Sequence, residues 1–394
     1  MKKEIIVILI LTLIQGIAHN LAHPITPSYV SYLGIDDVMF GIFFASMSLG
    51  IVIGSPMWGI LSDKGNHRKW LIIGNIMYAI GQMIYGYSED VTWMILARVF
   101  SGIGAASGIT IFAARILLYS EKHYVGRNLA LFGGALTLGA SFGYFLGGQL
   151  SFFQVLFNEP SYQYVFLIQS IVTILYVILI TFMIKHTQVK KKEIQYIPFY
   201  KHILSIVSMP LYQWLFYLGL FFATMSFTFV SKYLDVYFRD LGYNPDILGS
   251  FVLFTGFISL VTSLFIVPKL LQFTFSKTFF FVVLLGSVSL WMSFQFSQIL
   301  LSLYTIFSLY IFAKTAHQPF EQSHISTFAK DDYGRVMGIR QLFVGLGMIF
   351  GPVLGSLIYS FESKLSFEVA AYVIILSLIL MLYSIHLQKK VLMN

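Results

Sequence analysis

Long apolar runs, separated by short polar turns, recur along the whole chain from Ile5 to Leu387. A helix needs roughly 20 consecutive apolar residues to cross a bilayer, and each run is about that long. Since hydrocarbon offers no partner to backbone N–H and C=O groups, we expect each run to be an α-helix. The pattern predicts twelve membrane spans, at residues 5–33, 38–61, 70–88, 91–119, 126–154, 162–187, 209–238, 245–268, 276–296, 298–328, 334–361 and 366–388.

The composition agrees with a chain that lies in a membrane. Of its 394 residues, 57% are hydrophobic and only 11% are charged, whereas a soluble domain carries about 25% charged residues. The first apolar run continues through polar residues to Tyr29 without a small-residue cleavage site, so we expect a retained span and not a signal peptide. The chain has no cysteine, which excludes disulfides and thiolate metal sites.

The chain divides into two related halves. The longest polar stretch lies between spans 6 and 7, so we expect six-helix bundles at residues 1–187 and 209–394, joined by a cytoplasmic linker at 188–208. Parallel repeats related by a pseudo-two-fold axis along the membrane normal are typical of transporters that bind substrate between the halves. At one constant shift along the sequence, Gly126, Arg127, Gly139, Gly143 and Gly147 fall on Gly334, Arg335, Gly347, Gly351 and Gly355.

The basic residues predict the orientation. If the N-terminus is cytoplasmic, most of the 25 Lys and Arg residues fall on the inside, and only Arg239 and Lys364 fall in outside loops. This asymmetry predicts a multi-pass protein of the plasma (cytoplasmic) membrane with both termini in the cytoplasm. The net charge of +8 is spread between apolar runs and forms no patch, so it does not indicate nucleic-acid binding. Five basic residues lie within spans: Arg98, Arg115, Lys232, Lys314 and Arg340.

The loop between spans 2 and 3 carries a motif. It reads Gly59-Ile60-Leu61-Ser62-Asp63-Lys64-Gly65-Asn66-His67-Arg68-Lys69. This resembles the loop motif of the major facilitator superfamily, although Asn66 stands where a glycine is usual and His67 replaces a basic residue. Because Asn tolerates left-handed backbone better than most residues, we expect the turn to persist. The resemblance implies a gating role for Gly59, Asp63, Lys64 and Arg68. The alternative is a basic turn that only fixes topology.

Three further segments resemble the same family, in its twelve-span drug:proton antiporter-like branch. Span 4 holds Leu96-Ala97-Arg98, similar to the family's intramembrane arginine motif, and span 1 ends in a Pro24-Ile25-Thr26-Pro27 element. Glycines spaced by four share one helix face, where they let helices approach closely in lipid. The glycine motif comprises Gly139, Gly143, Gly147 and Gly148 in span 5, where Tyr144 replaces a proline, and Gly347, Gly351, Pro352 and Gly355 in span 11. These glycines either serve helix packing only or also seal the contact between the two halves.

Polar residues follow helical spacing in spans 1, 7 and 10. Such residues are costly in hydrocarbon, so each needs a partner or a hydrated cavity. In the resembling family, spans 1, 4, 7 and 10 line the central cavity. The resulting candidates for the substrate cavity are Gln15, Asn20, Arg98, Gln213, Tyr217, Lys314 and Gln318.

Proton coupling has its own candidates. Glu321 is the only carboxylate well inside a span, and Asp235 near an outer end is the second. Burial and a neighbouring Lys314 act in opposite directions on protonation of Glu321, so we expect it to exchange a proton near neutral pH. The alternative is a static ion pair with Lys314. Three histidines titrate near neutral pH or serve as hydrogen-bonded lining residues: His19, His23 and His317. We expect no metal site.

These features predict an alternating-access secondary transporter, most simply a proton-coupled exporter of hydrophobic or amphiphilic small molecules. It would act as a monomer in the lipid bilayer, with the proton gradient as its energy source and no cofactor. Since the chain has no nucleotide-binding loop or nucleophile motif, we do not expect an enzyme. The alternatives are a flippase of a lipid or glycolipid-like amphiphile, a proton-coupled nutrient symporter, and a membrane-embedded sensor or enzyme. The mixture of cations and carboxylates in the spans leaves an anionic or zwitterionic substrate open.

Overall fold

The computed structural model describes residues 3–121, 124–156, 162–184, 209–296, 299–328 and 333–393. The predicted linker at 188–208 lies outside these residues. The first span is a broken helix. It consists of α1 (Lys3–Asn20), a 3₁₀ turn (His23–Ile25) and α2 (Thr26–Tyr32). Pro24 lies at the start of the 3₁₀ turn and Pro27 at the start of α2. A missing N–H costs little at the first positions of a helix.

Five helices follow the first span. Asp36 and Asp90 accept hydrogen bonds from the first backbone N–H groups of α3 and α5, which fixes where these two helices begin. The five are α3 (Asp37–Asp63), α4 (His67–Tyr87), α5 (Val91–Tyr119), α6 (Val125–Leu156) and α7 (Gln163–Met183).

The second group of helices begins with α8 (Leu211–Asp240). Span 8 consists of α9 (Pro245–Val261), a π-helical turn (Thr262–Ile266) and α10 (Val267–Leu270). Pro268 has no N–H to continue an α-helical ladder, which accounts for the irregular turn. The remaining helices are α11 (Phe275–Ser293), α12 (Ile299–Ser326), α13 (Tyr333–Phe361) and α14 (Ser363–Met393).

The predicted all-α membrane architecture is confirmed. Counting the broken spans as single helices, eleven helices among the described residues are long and apolar enough to cross a membrane. The remaining predicted span, the third, corresponds to α4. This helix carries buried Asn75 and Gln82, together with Tyr78 and Tyr85, and its polar side chains lower its hydropathy.

By residue contacts the chain forms two compact units. Unit 1 comprises Met1–Lys192 with Leu234–Leu260, and unit 2 comprises Glu193–Tyr233 with Val261–Asn394. The boundary therefore falls inside α8 and at the end of α9. The apolar core of unit 1 includes Ile8, Trp58 and Phe112, and the indole of Trp58 donates to the Ile103 carbonyl oxygen over 2.7 Å.

Glycines set the closest helix approaches in both units. In unit 1, α6 packs on α1 so tightly that a Cβ on Gly139, Gly143 or Gly147 would overlap a carbonyl oxygen of α1 or the turn after it. In unit 2, α13 packs on α8 in the same way through Gly347 and Gly351. The internal repeat in the sequence therefore corresponds to a repeated helix contact. Gly355 faces the ring of Phe229, and Gly148 faces the backbone at Pro245.

Candidate functional site

His19 lies at the centre of a buried hydrogen-bonded network in unit 1. Its Nε2 lies 3.1 Å from Oδ1 of Asn75, and its ring stacks on Tyr78 with centroids 3.7 Å apart. The Tyr78 hydroxyl donates to the His19 carbonyl oxygen over 2.7 Å, and Gln169 donates to the same hydroxyl over 3.1 Å. The structure thus places His19 where its ring and its backbone are held on several sides.

Arg98 is a buried cation in unit 1, with only 3% of its surface exposed. Its Nη1 donates to Oε1 of Gln82 over 3.3 Å, and its guanidinium carbon lies 3.6 Å from the ring centroid of Tyr85. An amide oxygen and an aromatic face are weak substitutes for a carboxylate in a low-dielectric setting. Arg98 forms no ion pair with a carboxylate in the part of the chain that the structure describes.

Asp235 lies beside Tyr144, a residue that sequence reasoning noted only as a replaced proline. The Tyr144 hydroxyl donates to Oδ2 of Asp235 over 2.9 Å, and Asp235 is 2% exposed. The ring of His23 stacks between Tyr144 and Phe44, at centroid distances of 5.5 and 5.4 Å. Two of the candidates for proton coupling, Asp235 and His23, thus contact one tyrosine. The signal in the sequence was a hydrogen-bonding residue in a motif position where proline is usual.

Asp37 and Arg239 form an ion pair in unit 1. The guanidinium donates to both carboxylate oxygens of Asp37, over 2.8 and 2.7 Å, and to the Pro27 carbonyl oxygen over 3.1 Å. It also donates to the adjacent Asp240. A bidentate arginine fixes both the distance and the orientation of its partner. The sequence predicted an outer loop for Arg239 and gave it no partner.

Glu321 and Arg340 form a buried ion pair in unit 2. Glu321 is completely buried, and Nε of Arg340 donates to its two carboxylate oxygens over 2.9 and 3.0 Å. The Arg340 Nη2 also contacts Oε1 of Glu321. The alternative interpretation of Glu321, as an ion pair with Lys314, is therefore wrong. The sequence showed Arg340 only as a basic residue within a span, and the signal for this pairing was that such an arginine needs a partner.

Lys314 has a different environment in unit 2. Its Nζ donates to Oγ of Ser231 over 3.0 Å, and the nearby charge of Lys232 acts on it. His317, one turn along α12, is buried with its ring against Phe227 and Phe279, at centroid distances of 5.2 and 5.5 Å. Lys314 and His317 border the same narrow gap, which has an empty volume of about 170 Å³ and no room for a water molecule.

The other cavity candidates each have their own local surroundings. Asn20 donates to the Gly16 carbonyl oxygen over 2.8 Å, and Tyr217 donates to the Val336 carbonyl oxygen over 3.2 Å, so both are satisfied by nearby backbone. Gln15 is buried against Gly108, where a Cβ would overlap its amide. Gln213 is half-buried and Gln318 is exposed.

The loop motif forms the expected turn. Asn66 adopts left-handed backbone with φ 58° and ψ 40°, directly after Gly65 with φ 85°. His67 lies outside predicted span 70–88, and its buried Nε2 is 2.9 Å from the Ser62 carbonyl oxygen. Burial lowers the pKa of His67 below its ordinary value, although the contact with Ser62 opposes the shift.

The charges of the loop are open to solvent. Asp63 and Lys64 are exposed and Arg68 is half-buried, and none of the three forms an ion pair within the described ranges. Gly59 has ordinary contacts, because a Cβ there would meet only Thr110 at 3.9 Å. The gating role of this loop stays a prediction.

The sequence model of the Major Facilitator Superfamily matches residues 8–316. This chain belongs to the major facilitator superfamily. This chain is 21% identical over 388 residues to "Multidrug resistance protein 2" of Bacillus subtilis (strain 168), and the alignment covers 96% of this chain and 94% of that protein. It is also 21% identical over 360 residues to "Quinolone resistance protein NorA" of Staphylococcus aureus (strain COL), covering 91% and 90%.

A solved structure has the same fold. The crystal structure of a D-xylose-proton symporter matches with a TM-score of 0.73 and 14% sequence identity, over 96% of each chain. Membership of the superfamily, together with the apolar helices, shows that the protein is a multi-pass membrane transporter. Among the described residues, no group of three His, Cys, Asp or Glu side chains is placed to hold a metal ion.

Proposed function

We propose that this transporter exports hydrophobic or amphiphilic small molecules by alternating access, in exchange for protons. It would act in the cytoplasmic membrane with both termini in the cytoplasm, as the distribution of basic residues predicts. Two relatives that align along nearly the whole chain are named for multidrug and quinolone resistance. This likeness supports efflux of drug-like compounds by the present chain.

The observation that carries proton coupling is the buried pair of Glu321 and Arg340. The carboxylate of Glu321 has no exposed surface and is held by an arginine on the neighbouring helix, so binding or release of a proton would change that contact. Ionised, it attracts the guanidinium and ties α12 to α13. Protonated, it loses most of that attraction, because the charge–charge term disappears in a low-dielectric setting. Proton binding would thus free one helix contact, and proton release would restore it.

A chemical change of this kind favours one transporter conformation only if the contact differs between conformations. We infer that the Glu321–Arg340 contact is intact in one state and broken in the other. Asp235 with Tyr144 is a second place where a proton changes a contact, because a protonated Asp235 no longer carries the charge that the Tyr144 hydroxyl stabilises.

The test uses purified protein in liposomes with an acidic lumen and a pyranine pH reporter inside. Three hydrophobic test compounds that differ in charge are offered as substrates. 1-Anilinonaphthalene-8-sulfonate is anionic, N-phenyl-1-naphthylamine is neutral and tetraphenylphosphonium is cationic. We expect at least one of them to accumulate in the lumen while the lumenal pH rises. A protonophore should abolish this accumulation.

The sign of the proton flux separates the alternatives. An acidic lumen drives substrate outward in a symporter, so a symporter would not accumulate the probe. A flippase of a lipid-like amphiphile would move a fluorescent lipid between leaflets without any pH change. If no probe accumulates under the gradient in protein-containing liposomes, or if accumulation survives the protonophore, proton-coupled export is contradicted.

A further inference from the structure

An open groove lies on the surface of unit 2, beside α11 and the turn that precedes it. Its volume is about 480 Å³, within the range of about 300–1,000 Å³ that is usual for ligand sites. Three of its lining residues, Leu270, Val282 and Phe312, come from α10, α11 and α12 and pack in one apolar core cluster. The groove, which we call the α11 groove, is therefore formed by packed helices and not by a single displaced side chain.

The α11 groove follows one face of its helix. Six of its lining residues alternate in spacing between three positions and one, so they share a helix face. They are Thr274, Lys277, Thr278, Phe281, Val282 and Leu285, of which the first three are polar and the last three apolar. At 1.5 Å per residue, the axial distance from Thr274 to Leu285 is about 16 Å, close to half of a hydrocarbon core of about 30 Å. The groove thus has the depth of one lipid leaflet, with a polar start and an apolar remainder.

The open side of the α11 groove is apolar and belongs to membrane-spanning helices. Phe273, Phe281 and Leu285 line the groove and are exposed. The helices that form it are each long and apolar enough to cross a membrane. Large apolar side chains exposed on such helices are costly in water, so we place this side of the groove against the acyl chains of the bilayer.

The polar end of the α11 groove carries a cation without a counter-ion. Lys277 is exposed and forms no ion pair with a carboxylate in the described part of the chain, and the sequence holds no acidic residue between Asp246 and Glu321. Thr274, the N-cap residue of α11, makes no side-chain capping bond, so the partial positive charge of the helix start adds to that of the lysine. The turn belongs to a loop predicted on the cytoplasmic side, where basic residues near the membrane surface attract anionic lipids.

We propose that the α11 groove binds one anionic phospholipid, with its phosphate beside Lys277 and one acyl chain along the apolar face towards Leu285. The ammonium supplies the counter-charge, and the Thr274 hydroxyl can donate to a phosphate oxygen. A zwitterionic lipid carries its own cation, which offsets its attraction to Lys277, whereas phosphatidylglycerol has a net negative charge. The groove therefore prefers an anionic head group. This site is separate from the transport reaction proposed above and does not depend on it.

The experiment measures lipid contact at one position of the full chain. Because the chain has no cysteine, Leu285→Cys gives a single attachment point for a bimane fluorophore at the apolar end of the groove. The protein is placed in phosphatidylcholine nanodiscs with increasing fractions of a lipid that carries a nitroxide on one acyl chain, either phosphatidylglycerol or phosphatidylcholine. The nitroxide quenches the fluorophore at short range, so the two curves give the ratio of the association constants. We expect phosphatidylglycerol to be favoured about fivefold, as for one lysine near an anionic lipid.

Matched variants separate the groove from general surface charge. In the same reporter chain, Lys277→Gln should bring the ratio to about one, and Lys277→Arg should retain the preference because it keeps the cation. Lys269→Gln removes an exposed lysine that is close in sequence but does not line the groove, and it should retain most of the preference. Ile379→Cys reports from an exposed position on α14 outside the groove, at a similar distance from the predicted cytoplasmic end of its span, and should show no preference. The thermal unfolding temperature of each variant is recorded in the same nanodiscs.

Several outcomes overturn the inference. Equal quenching by the two lipids at Leu285→Cys would show that only ordinary surrounding lipid occupies the groove. An equal preference at Ile379→Cys, or an equal loss in Lys269→Gln and Lys277→Gln, would show attraction to the whole surface and not to this site. An unchanged preference in Lys277→Gln would remove the lysine from the site. Because no gradient is applied, failure of proton-driven export leaves the result of this experiment standing.

Discussion

The hydroxyl of Tyr144 donates a hydrogen bond to Oδ2 of Asp235 across 2.9 Å, and both side chains are buried. Tyr144 lies on α6 in a glycine-rich segment, at a position where the motif that this segment resembles has proline. A proline side chain cannot donate a hydrogen bond, so a proline here could not make this contact. The contact gives Asp235 a defined orientation, and the ring of His23 stacks on the same tyrosine.

Replacing Tyr144 by phenylalanine tests this contact. Removing the donor from a buried carboxylate costs about 1–3 kcal/mol, so we expect Tyr144→Phe to lower the thermal unfolding temperature and slow gradient-driven transport. Tyr176 is the matched control, because its buried hydroxyl has no hydrogen-bond partner among the described residues. Tyr176→Phe should leave both properties unchanged or raise stability slightly. Equal effects of the two variants would show that Tyr144 matters only for packing.

The pair of Glu321 and Arg340 yields a prediction about coupling. Glu321→Gln is nearly isosteric and cannot exchange a proton, so we expect it to abolish accumulation against a gradient. Exchange of labelled for unlabelled probe across the membrane should persist, since binding does not require protonation. Both rates are measured in the same proteoliposomes. Glu362→Gln, at an exposed carboxylate, is the control, and uphill transport by Glu321→Gln would remove Glu321 from the coupling mechanism.

Two glycines of α6 differ in what surrounds them. A Cβ on Gly139 would overlap the Leu13 carbonyl oxygen of α1, whereas a Cβ on Gly133 would meet nothing within 4 Å. We expect Gly139→Ala to destabilise by about 1–3 kcal/mol, because overpacking forces the backbones apart. Gly133→Ala should stabilise by about 0.5–1 kcal/mol through the lower helix propensity of glycine. Thermal unfolding in detergent compares the two. If Gly139→Ala left the unfolding temperature unchanged, α1 and α6 would have to separate easily.

The buried His67 predicts a dependence of stability on pH. Burial holds the pKa of His67 below the ordinary value of 6.5, so the folded state binds fewer protons than the unfolded state in acid. The stability is fully present above pH 6.5 and is lost as the pH falls through that value towards the lower pKa of the folded protein. Unfolding temperatures between pH 8 and pH 5 should therefore fall less for His67→Gln than for the wild type. His386→Gln, at an exposed histidine, should follow the wild type, and parallel curves for His67→Gln would contradict the prediction.

The sequence alone determined the membrane architecture and the turn of the loop motif. A span must be a helix of about 20 apolar residues because hydrocarbon satisfies no backbone group, and this requirement is local. The left-handed Asn66 was predictable for the same reason, since backbone sterics act within one residue. Glycines spaced by four also mark one helix face without any knowledge of its neighbour.

Only the tertiary structure decided which charged and polar groups meet. Glu321 pairs with Arg340 on the next helix and not with Lys314, which lies about two turns back on the same helix. Asp235 contacts a tyrosine 91 residues away in the chain. Helical spacing shows which residues share a face, but the rotation and depth of each helix against its neighbours follow from packing over its whole length. The partner of a buried charge is therefore a property of the assembled bundle, and the choice between Lys314 and Arg340 could not be read from either helix by itself.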